Sequence, residues 1–300
     1  MHYHYDAFGL HIASEIECPQ LRASETGTAF PDLVVCRGAV PNELEDAQVR
    51  ESIYQISGEH FLLNIARVGR YLVSEGRAIT VEPDPAADER DVRLFLLGSA
   101  MGTLLHQRGV WPLHGSAVAS ERKAIIFVGA SGCGKSTLAG AFHQRGFRVL
   151  SDDICAITTG ENGVAQVWPA YPRLSLWGDS VARLGSNPGD HQRAHSAHEK
   201  YEIPVQYFTP GPVAVAAVYS LYTSDQEGLC LTPLKGFAKA RELTANTYRL
   251  PFLTGMRRGQ QHFWQALALA QQARVVSVTR PRQPFLLDEL ADLIERDAFR

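Results

Sequence analysis

The sequence predicts an α/β fold over residues 89–300, preceded by a small β-rich domain over residues 1–88. Strand and helix patterns alternate after residue 88, whereas only short β-type runs precede it. A glycine-rich loop, residues 129–136, joins an apolar strand pattern to a helix pattern. The length of 300 residues suits two domains, since one domain commonly has about 100–200 residues.

The first 88 residues are predicted to form strands and turns, and they carry no catalytic cluster. Apolar runs occupy 33–36, 61–65 and 78–81, with Gly, Asn and Pro between them. Residues 82–85 contain two prolines and are predicted to link the two domains. From its position alone, the N-terminal domain is expected to hold part of a substrate, such as a peptide leader.

The second domain is predicted from its apolar periodicity. Apolar residues three and four positions apart predict a helix over 88–107, with Asp88 or Asp91 as its cap. A strand over 123–128, the glycine-rich loop, a helix over 137–145 and a strand from 147 predict a βαβ unit with neighbouring parallel strands. The later predicted elements are a polar loop over 184–200, strands over 213–221 and 274–278, and helices over 235–247, 259–273 and 284–296.

Charge and cysteine content exclude several classes of protein. The 29 basic and 32 acidic residues give a net charge of −3, which argues against a nucleic-acid partner. No apolar run approaches the roughly 20 residues of a membrane helix, and the first residues lack a secretory signal. Five scattered cysteines without a Cys-x-x-Cys pair indicate a reduced, cytoplasmic chain. The oligomeric state is left open, a homo-oligomer included.

The glycine-rich loop fits the pattern Gly-x-x-x-x-Gly-Lys-Ser, which is typical of phosphate binding. Glycines allow several backbone N–H groups to point at one anion, and the following helix adds its positive dipole end. Lys135 supplies a mobile charge for the outer phosphates, and the Ser136 hydroxyl suits Mg²⁺. A chance turn is disfavoured because a strand precedes the loop and a helix follows it. The predicted nucleotide-binding residues are Gly129, Ala130, Ser131, Gly132, Cys133, Gly134, Lys135, Ser136 and Thr137.

Two adjacent carboxylates, Asp152 and Asp153, end the strand predicted after the loop helix. Because ligands of parallel sheets bind at the carboxyl ends of strands, at least one of them is expected to face the phosphates. One carboxylate could hold Mg²⁺ and the other accept the proton of an attacking hydroxyl. A plain turn or helix cap is the structural alternative. His114 would join them if its segment forms a hairpin with the loop strand, although a histidine at a turn is more often structural.

These residues resemble the HPr kinase/phosphorylase C-terminal-domain superfamily. Its pattern is His-Gly, then Gly-x-Ser-Gly-x-Gly-Lys-Ser, then Asp-Asp at the end of the next strand. The sequence matches it with His114-Gly115, the loop 129–136 and Asp152-Asp153, within a stretch of about 110–183. The resemblance implies an α/β P-loop kinase domain of the HPr kinase/phosphoenolpyruvate carboxykinase type. It also implies ATP and Mg²⁺ as cofactors, with Mn²⁺ as an alternative metal.

The resemblance further implies a role for each matched residue. Lys135 and the loop would bind the phosphates, while Ser136 and Asp153 would hold the metal. Asp152 would be the base toward a substrate serine, and His114 would support the base or the phosphates.

Two departures bear on the substrate. The downstream signature of the HPr kinases is replaced by residues 169–177, which include Pro-Arg-Leu-Ser-Leu-Trp, and residues 1–88 do not resemble the HPr kinase regulatory domain. That form is similar to the short HPr-kinase-like proteins of ribosomal-peptide gene clusters, among them the lasso-peptide precursor kinases. This resemblance implies a precursor peptide or small protein as substrate and phosphorylation of a C-terminal serine.

Two further basic residues are candidates for the catalytic site. Arg173 precedes an apolar run near the expected site and could neutralise charge in the transition state, or it could be a surface or packing arginine. Lys200, one of only five lysines, follows the polar loop and could reach the phosphates when a lid closes.

The polar loop also contains three histidines, His191, His195 and His198, at metal-ligand spacings. No cysteine or clear fourth ligand accompanies them, so a solvated loop is favoured over a metal site. Arg257 and Arg258 could bind a carboxylate or phosphate, but a solvated surface pair is the preferred interpretation.

The leading hypothesis is an ATP- and Mg²⁺-dependent serine kinase acting on a peptide or small protein. A regulatory NTPase that transfers nothing to a protein and an HPr-type protein serine kinase are the alternatives. An inactive scaffold is disfavoured because Lys135, Ser136 and both carboxylates are present.

Overall fold

The computed structural model describes residues 2–25, 30–120, 123–160, 162–196, 198–209, 211–225 and 227–299. Over these residues the chain is a mixed α/β protein with sheets of nine, seven and three strands.

The nine-stranded sheet is built entirely from residues 3–83. Its strand order is β3-β1-β2-β4-β9-β8-β7-β6-β5, and β6 to β9 form an antiparallel meander. The strands predicted at 33–36, 61–65 and 78–81 are confirmed as β4, β7 and β9; β9 extends into the predicted linker. The strands are β1 (Tyr3–Ala7), β2 (Leu10–Ser14), β3 (Arg22–Ala23), β4 (Leu33–Arg37), β5 (Val49–Arg50), β6 (Tyr54–Ser57), β7 (His60–Ile65), β8 (Gly69–Ser74) and β9 (Ala78–Pro83).

A helical segment interrupted by a π-helical turn follows the sheet, where one helix over 88–107 was predicted. Asp88, one of the two predicted caps, begins α1 (Glu89–Phe95) by accepting a hydrogen bond from the Arg90 amide. A π-helical turn, Leu96–Ala100, separates α1 from α2 (Met101–Gln107). Buried side chains of this segment and of the nine-stranded sheet share one apolar cluster with Ile154 and Ala156. The sheet therefore packs on the same helices that border the candidate site.

The seven-stranded sheet places the glycine-rich loop. Its order is β11-β10-β12-β13-β17-β19-β18, and β11 also pairs with β17. The predicted βαβ unit is wrong in one respect: β10 lies between β11 and β12 and is antiparallel to both. The remaining strands of the chain are β10 (Trp111–Ala119), β11 (Ala124–Gly129), β12 (Arg148–Thr159), β13 (Ala165–Trp168), β14 (Arg173–Trp177), β15 (Gln192–Arg193), β16 (Lys200–Pro204), β17 (Val213–Ser224), β18 (Cys230–Pro233) and β19 (Arg274–Pro281).

Strands β14, β16 and β15 form the third sheet, beside the loop helix. The predicted helices over 137–145, 235–247, 259–273 and 284–296 are confirmed as α3, α5, α7 and α8, whereas α4, α6, β16 and β18 were not predicted. The helices are α3 (Lys135–Gln144), α4 (Gly178–Arg183), α5 (Phe237–Ala245), α6 (Phe252–Met256), α7 (Gly259–Gln272) and α8 (Leu287–Phe299). Among the described residues, none of the helices is both long and apolar enough to cross a membrane.

Candidate active site

The glycine-rich loop connects β11 to α3 and lines a cavity of about 430 Å³. Gly129 and Gly134 have φ values of 133° and 106°, which side chains with a Cβ rarely adopt. A Cβ at Gly129 would also lie 2.7 Å from the Leu221 carbonyl oxygen. Lys135 is buried, and its ammonium donates to the carbonyls of Gly129 at 2.9 Å and Ala130 at 3.1 Å. The lysine thus holds the loop closed on itself.

Asp152 lies opposite the loop and is only 3% exposed. One carboxylate oxygen accepts hydrogen bonds from the hydroxyls of Ser116, at 2.6 Å, and Ser136, at 2.8 Å. The other oxygen accepts from the Ser175 amide at 2.7 Å. Donors from β10, α3 and β14 therefore fix its orientation. Ser116 and Ser175 were not identified as site residues from the sequence. The only available signal was that Ser116 lies two residues after His114.

Asp153 has a φ of +76° in the middle of β12 rather than at a strand end as predicted. Neighbouring residues of a strand normally point to opposite faces. Here both carboxylates line the same two cavities, because the left-handed conformation turns the second one back. Such a conformation is uncommon for a non-glycine residue and is found at functional sites.

His114 and two cations surround Asp153. The β10–β11 hairpin, on which the expected position of His114 was conditional, is present, and the pairing of β10 with β12 brings His114 Nδ1 to 3.3 Å from Asp153 Oδ1. Burial raises the pKa of Asp153, but His114, Lys200 and Arg249 outweigh it, so the pKa is lowered. The carboxylate is accordingly held as an anion beside cationic side chains.

Arg249 was not predicted from the sequence. It follows α5, has a φ of +51° and places its guanidinium 5.6 Å from the centre of the Tyr248 ring. Tyr248 fits only because Gly102 lacks a side chain: a Cβ there would lie 2.6 Å from the ring. No local pattern marks Arg249, because it reaches the carboxylates from a remote segment.

The carboxylates also line a second, larger cavity of about 680 Å³, here called the acceptor cavity. It extends from Asp152 and Asp153 to α1, the π-helical turn, Ala194, His195 and His198. Its walls carry five arginine or lysine side chains and three carboxylates, and two of the cations, Arg90 and Arg93, pair with Asp88 and Glu89 outside the lining. The charged residues of the lining are Arg90, Arg93, Arg173, Lys200, Arg249, Asp152, Asp153 and Glu202.

The two predicted catalytic cations differ in their surroundings. Lys200 starts β16 and lines both cavities, so the structure brings it to the carboxylates. Arg173 lines only the acceptor cavity, where it forms an ion pair with Glu202 at 2.8 Å and donates to the Pro19 carbonyl. Arg173 therefore connects the acceptor cavity to the N-terminal segment.

The other arginines and histidines considered in the sequence either lie apart from the two aspartates or contact other residues. Arg258 pairs with Glu59 at 3.1 Å and, with Arg257, lines a separate cavity. His191 contacts the Ser186 hydroxyl at 2.8 Å, whereas His195 and His198 line the acceptor cavity. Within the described ranges, no group of three His, Cys, Asp or Glu side chains is arranged to hold a metal ion.

Oxygen donors suited to Mg²⁺ nevertheless meet at the loop. The Ser136 hydroxyl and the Asp152 carboxylate lie 2.8 Å apart and both face the loop cavity. Mg²⁺ takes few protein ligands when phosphates and water complete its shell, so this pair fits it. The structure thus brings Ser136 to Asp152, whereas the resemblance paired Ser136 with Asp153.

The fold and the site define a mixed α/β protein in which a glycine-rich strand-to-helix loop faces two carboxylates between two cavities. No family model and no curated protein matches the sequence. Among solved structures, the Hpr(Ser) kinase/phosphatase from Coxiella burnetii is similar over 62% of this chain and 89% of that one, with 13% identity and a TM-score of 0.34. A similarity of this size carries no functional conclusion, which must come from the side chains of the site.

Proposed function

We propose that this protein is an ATP-dependent serine kinase that transfers the γ-phosphate to a serine hydroxyl of a peptide. The observation that carries the proposal is the position of Asp152 and Asp153, which line both the loop cavity and the acceptor cavity. A donor bound on one side and a hydroxyl on the other would meet at these carboxylates. Phosphoryl transfer requires this alignment more than any covalent step by the protein.

The loop cavity suits the triphosphate of ATP. Lys135 would exchange its bonds to the loop carbonyls for bonds to the outer phosphates, since a lysine is a mobile point charge. Ser136 and Asp152 would hold Mg²⁺ or Mn²⁺. The bound metal would neutralise charge on the phosphates.

On the acceptor side, the serine hydroxyl would donate its proton to Asp153. The hydroxyl oxygen forms a bond to the γ-phosphorus, the bond from that phosphorus to the β–γ bridging oxygen breaks, and ADP leaves with the electron pair. His114 orients Asp153, while Lys200 and Arg249 offset the charge of the transferring group. This assignment exchanges the roles that the resemblance gives to the two aspartates, because Ser136 contacts Asp152.

The acceptor cavity favours the end of a peptide over an internal loop. The cavity is lined by residues of α1 and by Ala194, His195 and His198, and Gln20 contributes from the N-terminal sheet region. Its arginine and lysine side chains, Lys200 and Arg249 beside the two aspartates in particular, would attract a carboxylate close to the hydroxyl. A C-terminal serine offers both groups, as a lasso-type precursor peptide would. Residues 1–88 would contribute to peptide binding through Gln20 and the Pro19 contact of Arg173.

The test uses intact-mass analysis of peptides incubated with the full chain, ATP and Mg²⁺. A peptide ending in serine should gain a phosphoryl group, and its Ser→Ala form should not. The same peptide with a C-terminal amide should react more slowly, because it lacks the carboxylate. Phosphate release without any peptide would instead support a regulatory NTPase, and transfer to HPr alone would support an HPr-type kinase.

A further inference from the structure

The loop cavity continues beyond the phosphate loop, away from the carboxylates. Asp152 and Asp153 lie on β12, on one side of the loop strand β11, whereas Arg280 lies on β19, on the other side, with Phe285 and Arg183 beside it. The proposed phosphoryl transfer uses only the groups on the side of the two aspartates. The far-end residues are Arg183, Thr223, Arg280, Arg282 and Phe285.

The sheet explains why these groups lie together. Strands β11, β17 and β19 run parallel, so their carboxyl ends reach the same edge. Gly129 pairs with Leu221 of β17, and Thr223 pairs with Arg280 of β19. Ligands of such sheets bind outside the carboxyl ends of the strands. A ligand lying along the loop would therefore reach the end of β19.

Phe285 packs against the glycine-rich loop. The guanidinium of Arg280 is buried and donates to the Cys133 carbonyl at 2.8 Å from Nη2 and 3.2 Å from Nε. The same guanidinium lies 4.3 Å from the centre of the Phe285 ring. A Cβ at Gly134 would lie 3.2 Å from the ring edge. The ring therefore lies against the phosphate loop, next to the arginine that donates to it.

A second guanidinium, that of Arg183, lies 5.2 Å from the centre of the Phe285 ring. Its side chain is 41% exposed, and its ion pair with Asp179 is long, at 3.8 Å. Arg183 thus presents a planar group that can shift at little cost. Planar guanidinium and aromatic groups are the surfaces on which nucleobases stack.

We propose that Phe285 and Arg183 form the nucleobase subsite of the ATP site. The inference rests on the proposed function, because it assumes that the triphosphate lies on the loop with its γ-phosphate at the aspartates. The base then falls at the opposite end of the same cavity, where it stacks on the Arg183 guanidinium or on the ring itself. A site for phosphate alone would need no aromatic ring.

The test compares dissociation constants of ATP and inorganic tripolyphosphate, both with Mg²⁺, for the wild-type chain and its variants. Phe285→Ala should weaken ATP about tenfold, the size expected for one stacking contact, and leave tripolyphosphate unchanged. Phe285→Trp should retain ATP binding. Phe237→Ala, at an exposed ring outside the cavity, is the matched control and should change neither constant.

Unchanged ATP binding by Phe285→Ala would overturn the subsite. Equal weakening of both ligands would also overturn it, because Phe285 would then act only through Arg280 and the loop. Failure of the nucleobase subsite can be distinguished from failure of the proposed kinase activity. Selective loss of ATP binding without transfer to any peptide would keep the subsite and reject the kinase, and binding of neither ligand by the wild type would reject both.

Discussion

The hydroxyl of Ser136 and the carboxylate of Asp152 are joined by a hydrogen bond of 2.8 Å that connects the loop helix to β12. Ser116 donates to the same carboxylate oxygen from β10. Strand β10 lies between the loop strand β11 and β12. The Asp152 carboxylate therefore accepts hydrogen bonds from two different elements, β10 and α3. Asp153, one residue on, contacts His114 instead. The two aspartates therefore have different hydrogen-bond partners, and replacing each one should impair a different property of the enzyme.

Asp152→Asn should raise the Mg²⁺ concentration needed for half-maximal transfer, because an amide is a poorer ligand than a carboxylate. Asp153→Asn should lower transfer by about a hundredfold or more, as loss of a general base does, without changing that concentration. Initial rates measured across a Mg²⁺ titration separate the two effects. The assignment is contradicted if the metal requirement shifts in the Asp153 variant and not in the Asp152 variant.

Lys135→Ala should weaken ATP binding by about tenfold to a hundredfold, the usual effect of losing a charged hydrogen bond. The variant also loses both contacts to the loop carbonyls, so the loop should exchange its amide hydrogens faster. Calorimetry with ATP and hydrogen exchange of residues 129–136 are the measurements. Lys123→Ala, at an exposed lysine before β11, is the control. Equal ATP affinity in both variants would count against phosphate binding by the loop.

Local patterns in the sequence were sufficient for part of this site. The strand, loop and helix around Lys135 form one contiguous motif, whereas the hairpin that carries His114 could be stated only as a condition. The sequence could not show that β10 inserts between β11 and β12, because strand pairing depends on contacts distant along the chain. For the same reason it could not show the contact of Ser175 with Asp152 or the approach of Arg249. The φ of +76° at Asp153 could not be predicted either, because positive φ is uncommon for residues other than glycine and no local pattern marks it here.

Asp91 anchors the segment that borders the acceptor cavity. Its carboxylate accepts hydrogen bonds from both the amide and the hydroxyl of Ser196, and it is nearly buried on α1. Ser196→Ala removes the hydroxyl donor, so residues 192–196 should exchange amide hydrogens faster and the KM for the peptide should rise. Ser186→Ala, which loses a contact to His191 in the same loop, is the control. The anchor is rejected if the Ser186 variant loosens this segment as much as the Ser196 variant does.

His106 should make folding stability depend on pH. The ring is 3% exposed on α2 and contacts the Tyr248 carbonyl through Nε2 at 2.9 Å. Burial lowers its pKa to about 4 from the usual value of 6.5. Since the unfolded chain binds this proton first, the stabilisation is complete above pH 6.5 and declines as the pH falls toward 4. The shift corresponds to about 3 kcal/mol at most.

His106→Gln keeps a hydrogen-bond donor for the Tyr248 carbonyl but cannot take up a proton. Urea unfolding at intervals from pH 7 to pH 4 should therefore show a weaker loss of stability in this variant than in the wild type. His60→Gln, at an exposed ring on β7, should follow the wild-type curve. Parallel curves for the wild type and His106→Gln would show that another group, such as the buried His262, whose pKa burial also lowers, controls the acid response.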